Sequence, residues 1–471
     1  MSSDDRADEP GSIAAAPPKA AAGARSEFEE RGILGSMLRM GVPSMIGFLS
    51  LNIYDLADMF WVSRLGADCI AAITFFQAFH WVVSSANQII GTGSVAVISR
   101  RYGEGNHGRT EASIKETLLL KWISGILFGA LGYILLPRVM VIVGATGSAL
   151  DMAIRYGRIS FLALGINFAT FSLYTALRSV DDPRKAMALM LGGTILNALL
   201  DPFLIFGWGP FPALGIEGAA VASVAGYTAT YLAGMVILYG GLTNVRLRWR
   251  NEVALSWSSM KQILGISLPS AVSQISWSLG RVVVMPFIAV FGTGVVAAYG
   301  MATRVVLVGI LATVGLGLGV ASLTGHNLGA GLLIRARRTA SVSLSAAVGL
   351  NCAYGAFVAA FAVPIAGLFL RDPALTAAGA EILRIQAVSF PFTGAFIIME
   401  NVHSGAGDTV PPMMYNVLLD WIFLVPVVVV GTKWLGFDAT HVWWTITGAV
   451  IAATTAFYFH FRKERWLHRE V

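Results

Sequence analysis

Charge is scarce in this chain. Only 13% of its 471 residues are Asp, Glu, Lys or Arg, whereas 56% are hydrophobic. An ordinary soluble domain carries about 25% charged residues, so this composition excludes a typical soluble globule. It favours a protein surrounded mostly by lipid, in which about 20 consecutive apolar residues form one membrane-spanning helix.

Patterns for disulfides, metals and nucleotides are missing as well. Cys69 and Cys352 are the two cysteines and cannot form a disulfide framework, and the seven histidines show no metal-ligand spacing. No GxxxxGK(S/T), HExxH or GxSxG motif occurs, and no filter-like re-entrant segment suggests a channel. We therefore expect neither an enzyme nor an ATP-driven pump, with no catalytic residues and no cofactor.

Apolar stretches long enough to cross a bilayer recur along nearly the whole chain. We predict an all-α integral membrane protein with twelve transmembrane helices, at 36–62, 68–98, 115–137, 151–179, 184–207, 215–241, 258–288, 294–326, 337–366, 374–406, 411–431 and 438–462. Several stretches exceed the minimum, so these helices tilt or extend beyond the bilayer.

The two halves of the chain repeat each other at an offset of 226 residues. Pro43 returns as Pro269, Gly66 as Gly292 and Gly105 as Gly331. Six helices per half is an even number, so both halves insert with the same orientation. The sequence therefore predicts two six-helix lobes related by an axis along the membrane normal, with a binding cavity between them.

These boundaries divide the chain into five segments. They are a disordered cytoplasmic tail (1–33), an N-terminal lobe (34–241, the N-lobe), a cytoplasmic linker (242–257), a C-terminal lobe (258–463, the C-lobe) and a basic cytoplasmic tail (464–471).

Basic residues are concentrated in the connections on one side of the predicted membrane. That side holds Arg100, Arg101, Arg109, Arg184, Lys185, Arg246, Arg248, Arg250, Arg335, Arg337 and Arg338, and the opposite side has only Arg64, Arg138, Arg371 and Lys433. The positive-inside rule places both termini of this multi-pass protein in the cytoplasm, with the cell membrane as its location. Because the basic residues are spread over short loops, the net charge of +6 does not indicate nucleic-acid binding.

Acidic residues inside predicted spans point to function, because a carboxylate at mid-bilayer costs about 2.5–3.5 kcal/mol on insertion scales. In the first half these are Asp55, Asp58 and Asp201, and Asn197 shares a helix face with Asp201. The group suits a proton or a hard cation. A structural hydrogen bond between spans 1 and 5 is the alternative, and Asp55 has the further alternative of pairing near Arg64.

The second half keeps the frame and changes this chemistry. At the 226-residue offset Asp58 becomes Val284, Asp55 becomes Arg281 and Asn197 becomes Phe423. The C-lobe has its own polar residues inside spans, namely Arg281, Arg304, Glu400, His403 and Asp420. Glu400 and His403 lie one turn apart, and we expect a structural ion pair there in preference to a second proton site.

Several motifs resemble those of the multidrug and toxic compound extrusion (MATE) family. The first is Tyr54-Asp55-Leu56-Ala57-Asp58-Met59-Phe60-Trp61-Val62, the second Leu196-Asn197-Ala198-Leu199-Leu200-Asp201-Pro202 and the third Gly218-Ala219-Ala220-Val221-Ala222-Ser223. The paired loops Leu177–Asp182 and Ser404–Thr409 resemble the family's LRGxGD loops, and the first of them lacks both usual glycines.

The resemblance implies export of amphipathic, often cationic compounds in exchange for protons or sodium. By motif position, Asp58, Asn197 and Asp201 form the N-lobe cation site, where sodium is an alternative to protons, and Pro43 is the bending proline. Ser223 supplies a hydroxyl where the family usually has Thr, and Asp55 adds an acid. These acids favour the subgroup that resembles DNA-damage-inducible (DinF) export proteins over the sodium-driven NorM type.

We thus expect a proton-coupled antiporter that works as a monomer, with small organic molecules and membrane lipid as its partners. An exporter or flippase of lipid-linked or other amphipathic cargo is the alternative on the same fold, and the N-lobe acids disfavour an anionic cargo.

Overall fold

The computed structural model describes residues 32–250, 253–370 and 372–471, so nearly all of the predicted N-terminal tail lies outside the described residues. The described chain is built from helices and short connections. In chain order they are α1 (Ile33–Val62), α2 (Ala67–Ser85), α3 (Gln88–Gly103), α4 (His107–Ile142), α5 (Gly147–Leu162), α6 (Leu164–Ser179), α7 (Pro183–Phe206), α8 (Ile216–Tyr239), α9 (Trp257–Ala289), α10 (Thr293–Gly329), α11 (Leu333–Ala360), α12 (Ala362–Phe369), α13 (Pro373–Ala387), α14 (Phe390–Ala406), α15 (Val410–Leu418), α16 (Val425–Trp434) and α17 (Ala439–Phe461).

These helices account for the predicted membrane crossings. Within the described residues nine helices are long and apolar enough to cross a bilayer, and three bent helix pairs bring the number to 12. The bent pairs are α2–α3 (41°), α5–α6 (52°) and α13–α14 (48°). The prediction of twelve spans agrees with this arrangement.

One helix break is repeated in both lobes and another occurs only in the N-lobe. The break between α5 and α6 falls at Ala163, and the break between α13 and α14 includes Ser389, its partner at the 226-residue offset. The α2–α3 break has no counterpart, because α10 is continuous. In the N-lobe the buried ammonium of Lys121 binds the carbonyl and side-chain oxygens of Asn87 at that break. The partner of Lys121 is Ala347, which cannot make this contact.

The repeated glycines mark repeated turns. Gly66 and Gly292 have φ of 121° and 103°, and each directly precedes the next helix of its lobe. Gly407 has φ of 78°, and its partner Asp181 has φ of 63°. A non-glycine residue in this conformation costs of order 1–3 kcal/mol. The Asp181 carboxylate lies 3.4 Å from the Arg39 guanidinium, an ion pair that holds the turn against α1.

The lobes contact each other at the basic end, the membrane side that holds the Arg-rich connections. A Cβ added to Gly319 of α10 would lie 2.7 Å from the Gly41 nitrogen of α1, and one added to Gly315 would lie 2.3 Å from the Met45 Cα. On the other flank, Gly93 of α3 donates a backbone hydrogen bond of 2.7 Å to the Ser267 hydroxyl of α9. Because glycines let the backbones approach so closely, this end of the molecule is shut.

The faces of α1 and α10 that meet at the basic end separate from each other toward the opposite side of the membrane. Three turns beyond Met45, Leu56 of α1 is 68% exposed, and two turns from Gly315, Val308 of α10 is 54% exposed. The space between these faces is the cleft, and it opens away from the basic end.

The linker between the lobes is fastened to α4 of the N-lobe. Glu111 accepts a 2.6 Å hydrogen bond from the Arg248 nitrogen. Glu116, which is buried, accepts 2.8 Å and 2.5 Å bonds from the Ser256 nitrogen and the Ser259 hydroxyl. Glu116 therefore caps the first turn of α9, which belongs to the C-lobe, from the other lobe.

We predict that Gly319→Val forces the basic end open. The new Cβ has backbone atoms of Met40 and Gly41 within 2.9 Å, which cannot move aside as a flexible side chain does. Spin labels on cysteines introduced at Arg184 and Ile334, with Cys69 and Cys352 replaced by serine, should give a longer distance by pulsed electron resonance.

Gly300→Val on the same helix is the matched control, because a Cβ there has nothing within 4 Å. An unchanged distance in Gly319→Val would contradict the proposed closure.

Candidate ion-coupling site

Three predicted residues come together inside the N-lobe. Asp58 of α1 is 6% exposed, and Asn197 and Asp201 of α7 are both fully buried. Because Asn197 and Asp201 are four residues apart on a helix, the amide nitrogen of Asn197 lies 3.4 Å from Oδ1 of Asp201. We call Asp58, Asn197 and Asp201 the coupling cluster.

The coupling cluster contains more acceptors than donors. Oδ1 of Asp58, Oδ1 of Asn197 and Oδ2 of Asp201 are buried and have no hydrogen-bond partner among the described residues. A buried polar atom left in this state costs about 1–3 kcal/mol. A proton on one carboxyl group, or a cation that binds oxygen ligands, would satisfy these atoms.

Proline shapes the helix that carries two of these residues. Pro202 is buried directly after Asp201 and has no N–H, so the carbonyl four residues earlier, at Ala198, loses its helical donor. Pro43 is also buried, about four turns from Asp58, and α1 runs through it without a break.

The two accessory residues lie at different places around the cluster. Asp55 is exposed on α1, whereas Asp58 points into the lobe. Ser223 of α8 is half-buried and lies near the Tyr54 hydroxyl.

Three tyrosines complete the surroundings and were not predicted from the sequence. The rings of Tyr54 and Tyr227 are 5.7 Å apart, and Tyr156 lies within electrostatic reach of Asp58 and Asp201. Helical spacing could have identified two of them, because Tyr54 precedes Asp58 by four residues and Tyr227 follows Ser223 by four. Tyr156 comes from the separate helix α5, and no local pattern indicates it.

The ion pair expected between Glu400 and His403 is absent from the residues that the structure describes. His403 is buried, its Nδ1 lies 2.9 Å from the Met399 carbonyl, and its ring lies 5.1 Å from that of Phe457. The imidazole packs against aromatic side chains of α17, whereas Glu400 is half-buried on α14. One helical turn of separation was not enough to predict the partner.

Asp420 is the buried acid of the C-lobe, and it lies in a π-helical segment, Leu419–Leu424. The Ser276 hydroxyl donates to its Oδ2 at 3.2 Å and accepts a 3.0 Å bond from the Trp421 indole. At the 226-residue offset this pair corresponds to Ser50 and Thr194, where the Thr194 hydroxyl donates a 3.2 Å hydrogen bond to the backbone carbonyl of Ser50. The contact between the two helices is thus repeated, but only the C-lobe places a carboxyl group in it.

Comparison with known proteins identifies the family. The family model described as MatE matches residues 43–203 and 269–430, one segment in each copy of the repeat. A protein of Shewanella oneidensis named FAD transporter is 30% identical over 72% of this chain and 74% of its own length. The probable multidrug resistance protein YoeA of Bacillus subtilis is 26% identical over 87% of this chain and 89% of its own length.

A solved structure has the same fold. It is described as the outward-facing conformation of a multidrug resistance MATE family transporter of the MOP superfamily. It superposes with a TM-score of 0.85 at 24% identity, covering 97% of this chain and 100% of that one. The predicted two-lobed helical membrane fold is confirmed.

We predict that acidification stabilises the folded protein through the coupling cluster. A proton on Asp58 or Asp201 turns an acceptor into a donor for the neighbouring oxygens. The apparent melting temperature in detergent should therefore rise as the pH of a potassium buffer is lowered from alkaline to mildly acidic. The rise should be smaller in Asp201→Asn, whose amide already supplies donors.

Asp151→Asn, at an exposed position on α5, controls for the loss of one carboxylate. Equal pH dependence in the native protein and Asp201→Asn would refute the prediction. A rise produced by sodium in place of potassium, and lost in Asp201→Asn, would assign sodium to the cluster instead.

Proposed function

This chain belongs to the MatE family of transporters, and from that premise we propose that it exports amphipathic organic compounds, including drugs and other xenobiotics, in exchange for protons. It is a multi-pass membrane transporter and not an enzyme. The observation that carries the proposal is the coupling cluster, in which three buried oxygens of Asp58, Asn197 and Asp201 lack hydrogen-bond partners among the described residues.

Protons are favoured over sodium as the coupling ion. Two carboxyl groups that share an apolar site cannot both ionise at low cost, so one of them readily takes up a proton. The same oxygens also suit sodium, which stays the alternative. The assignment to the DinF-like subgroup rests on these N-lobe acids and remains a prediction.

The proposed cycle uses the closure at the basic end. With the cleft open to the opposite side, a proton enters the N-lobe and neutralises Asp58 or Asp201. One proton crossing 100 mV supplies about 2.3 kcal/mol, to which a pH gradient adds. Neutralisation changes the bend of α1 near Pro43, cargo leaves, and the lobes rock to expose the cleft at the basic end.

Cationic cargo was predicted from the N-lobe acids, and it remains a prediction. Asp58 and Asp201 are buried inside the N-lobe and do not face the cleft, whereas Asp55 is exposed. A flavin-containing or other anionic metabolite is the second candidate, since one relative is named FAD transporter. Lipid-linked cargo remains the alternative predicted from the sequence.

The setting in the cell is also a proposal. We propose residence in the cell membrane as a monomer, with both termini in the cytoplasm, on the basis of the Arg-rich connections at one end. The segment boundaries 34–241, 242–257 and 258–463 serve as the working division into lobes and linker.

We predict that Asp58→Asn abolishes proton-driven export while the protein still inserts into the membrane. An amide cannot exchange a proton, so dye transport by purified protein in vesicles should fall at least about tenfold under an imposed pH gradient. A cationic dye and riboflavin 5′-phosphate serve as cargo, with proton and sodium gradients imposed separately.

Asp151→Asn is the control and should transport normally. Gel filtration establishes that each variant is folded. Full export by Asp58→Asn would rule out the coupling role proposed for Asp58. If the native protein exported cargo under a sodium gradient alone, sodium would replace the proton as the coupling ion.

A further inference from the structure

Two arginines of the C-lobe lie within predicted spans and take no part in the coupling cluster. Arg281 is eight residues before the end of α9, and Arg304 is eleven residues after the start of α10. The helix α9 ends, and α10 begins, on the side of the membrane opposite the basic end. At about 1.5 Å per residue, both arginines lie roughly 12–17 Å inward from that side. An arginine at such depth is costly to insert unless it faces protein or water.

Arg304 lies on the face of α10 that meets the N-lobe. Gly315, which packs on Met45 of α1, follows Arg304 by eleven residues, or about three full turns, so both point in nearly the same direction. At Gly315 this face is shut against α1. At Arg304 it is exposed, so the guanidinium projects into the cleft.

Arg281 lies on the corresponding face of α9. Ser267, which accepts the hydrogen bond from Gly93 of α3, precedes Arg281 by fourteen residues, or about four turns. The half-buried Gln274 lies between them on the same face. A different face of α9 carries the exposed apolar stripe suited to lipid, formed by Leu268, Val272, Ile275, Leu279 and Val282.

Neither guanidinium is paired with a carboxylate in the part of the chain that the structure describes. Arg281 lies instead over the Trp277 ring, 4.1 Å from its centroid. Asp420 is the acid whose charge reaches Arg281, but its side chain is 3% exposed and bonded to Ser276. Asp420 is therefore held in the helix contact and is not presented to the cleft.

The part of the N-lobe wall that α1 forms is mostly apolar or neutral. On the α1 face that continues from Met45 lie Asn52 and the exposed Leu56, while Asp55 stands at its margin. The cleft thus combines an apolar wall with two arginines and one aromatic ring, and the two buried acids of the coupling cluster lie behind that wall.

We propose that Trp277, Arg281 and Arg304 bind the anionic group and ring of a planar aromatic phosphate or carboxylate as cargo. Arginine donates paired hydrogen bonds to phosphate and carboxylate oxygens and stacks on aromatic rings. The proposal rests on the proposed function in one respect, that cargo crosses through this cleft. It also reverses the expectation, drawn from the N-lobe acids, that anionic cargo is disfavoured.

Equilibrium binding to the purified full-length protein in phosphatidylcholine nanodiscs tests this site without any ion gradient. Riboflavin 5′-phosphate and riboflavin share one ring system and differ by the phosphate. The Kd of the phosphate, read from flavin fluorescence anisotropy, should be at least about tenfold lower. Glycerol 3-phosphate, which has a phosphate and no ring, should fail to displace it, and this separates aromatic cargo from a lipid-like phosphate.

Arg281→Gln and Arg304→Gln should each raise the Kd of riboflavin 5′-phosphate about tenfold and leave that of riboflavin unchanged. Arg281→Lys, which keeps the charge, should recover part of the loss. Arg138→Gln, at an exposed position on α4 of the N-lobe, should change neither Kd. A gel-filtration profile like that of the native protein establishes folding.

The inference is overturned if the two flavins bind equally, if neither binds, if glycerol 3-phosphate displaces the flavin, or if the two Gln variants match Arg138→Gln. These outcomes are separate from a failure of proton coupling, because Asp58→Asn should bind riboflavin 5′-phosphate with native affinity even where it no longer transports.

Discussion

Close backbone approach between the lobes at one end of the membrane is the constraint on which the arrangement depends. Gly41, Gly93, Gly315 and Gly319 carry no side chain at the points where α1 and α3 meet α9 and α10. In lipid, where apolar surface gives no strong drive for association, this fit and a few hydrogen bonds hold helices together. Because the contacts stop partway along α1, α9 and α10, these three helices contribute both to the closed end and to the walls of the cleft.

Much of the fold could be predicted from the sequence, because the lengths of the apolar stretches, the 226-residue repeat and helical spacing can all be read along the chain. The twelve spans, the turn glycines Gly66 and Gly292 and the clustering of Asn197 with Asp201 were all accessible in this way. Contacts between side chains of different helices could not be predicted in this way. His403 packs among aromatic rings of α17 instead of pairing with Glu400, and Tyr156 of the separate helix α5 lies near the coupling cluster. Neither outcome has a signal in spacing along the chain.

The two lobes show how one frame can carry different chemistry. A hydrogen bond joins the two corresponding helices at Ser50 and Thr194 in one lobe and at Ser276 and Asp420 in the other, but it ends on a backbone carbonyl in the first and on a carboxyl group in the second. Asp55 of the N-lobe corresponds to Arg281 of the C-lobe, so the charge at that position is reversed. Under the two proposals made above, one lobe handles the small ion and the other handles the charged part of the cargo.

The cap that Glu116 places on α9 has a mechanical consequence. The opening turn of that helix is tied to α4, although the rest of the helix travels with the second lobe. Any relative rotation must then be absorbed along the helix itself rather than in the connecting segment. Pro269, which interrupts the hydrogen-bond ladder of α9 three turns further on, is the natural flexure point. A rotation of the lobes would then bend α9 inside the bilayer, at the counterpart of Pro43.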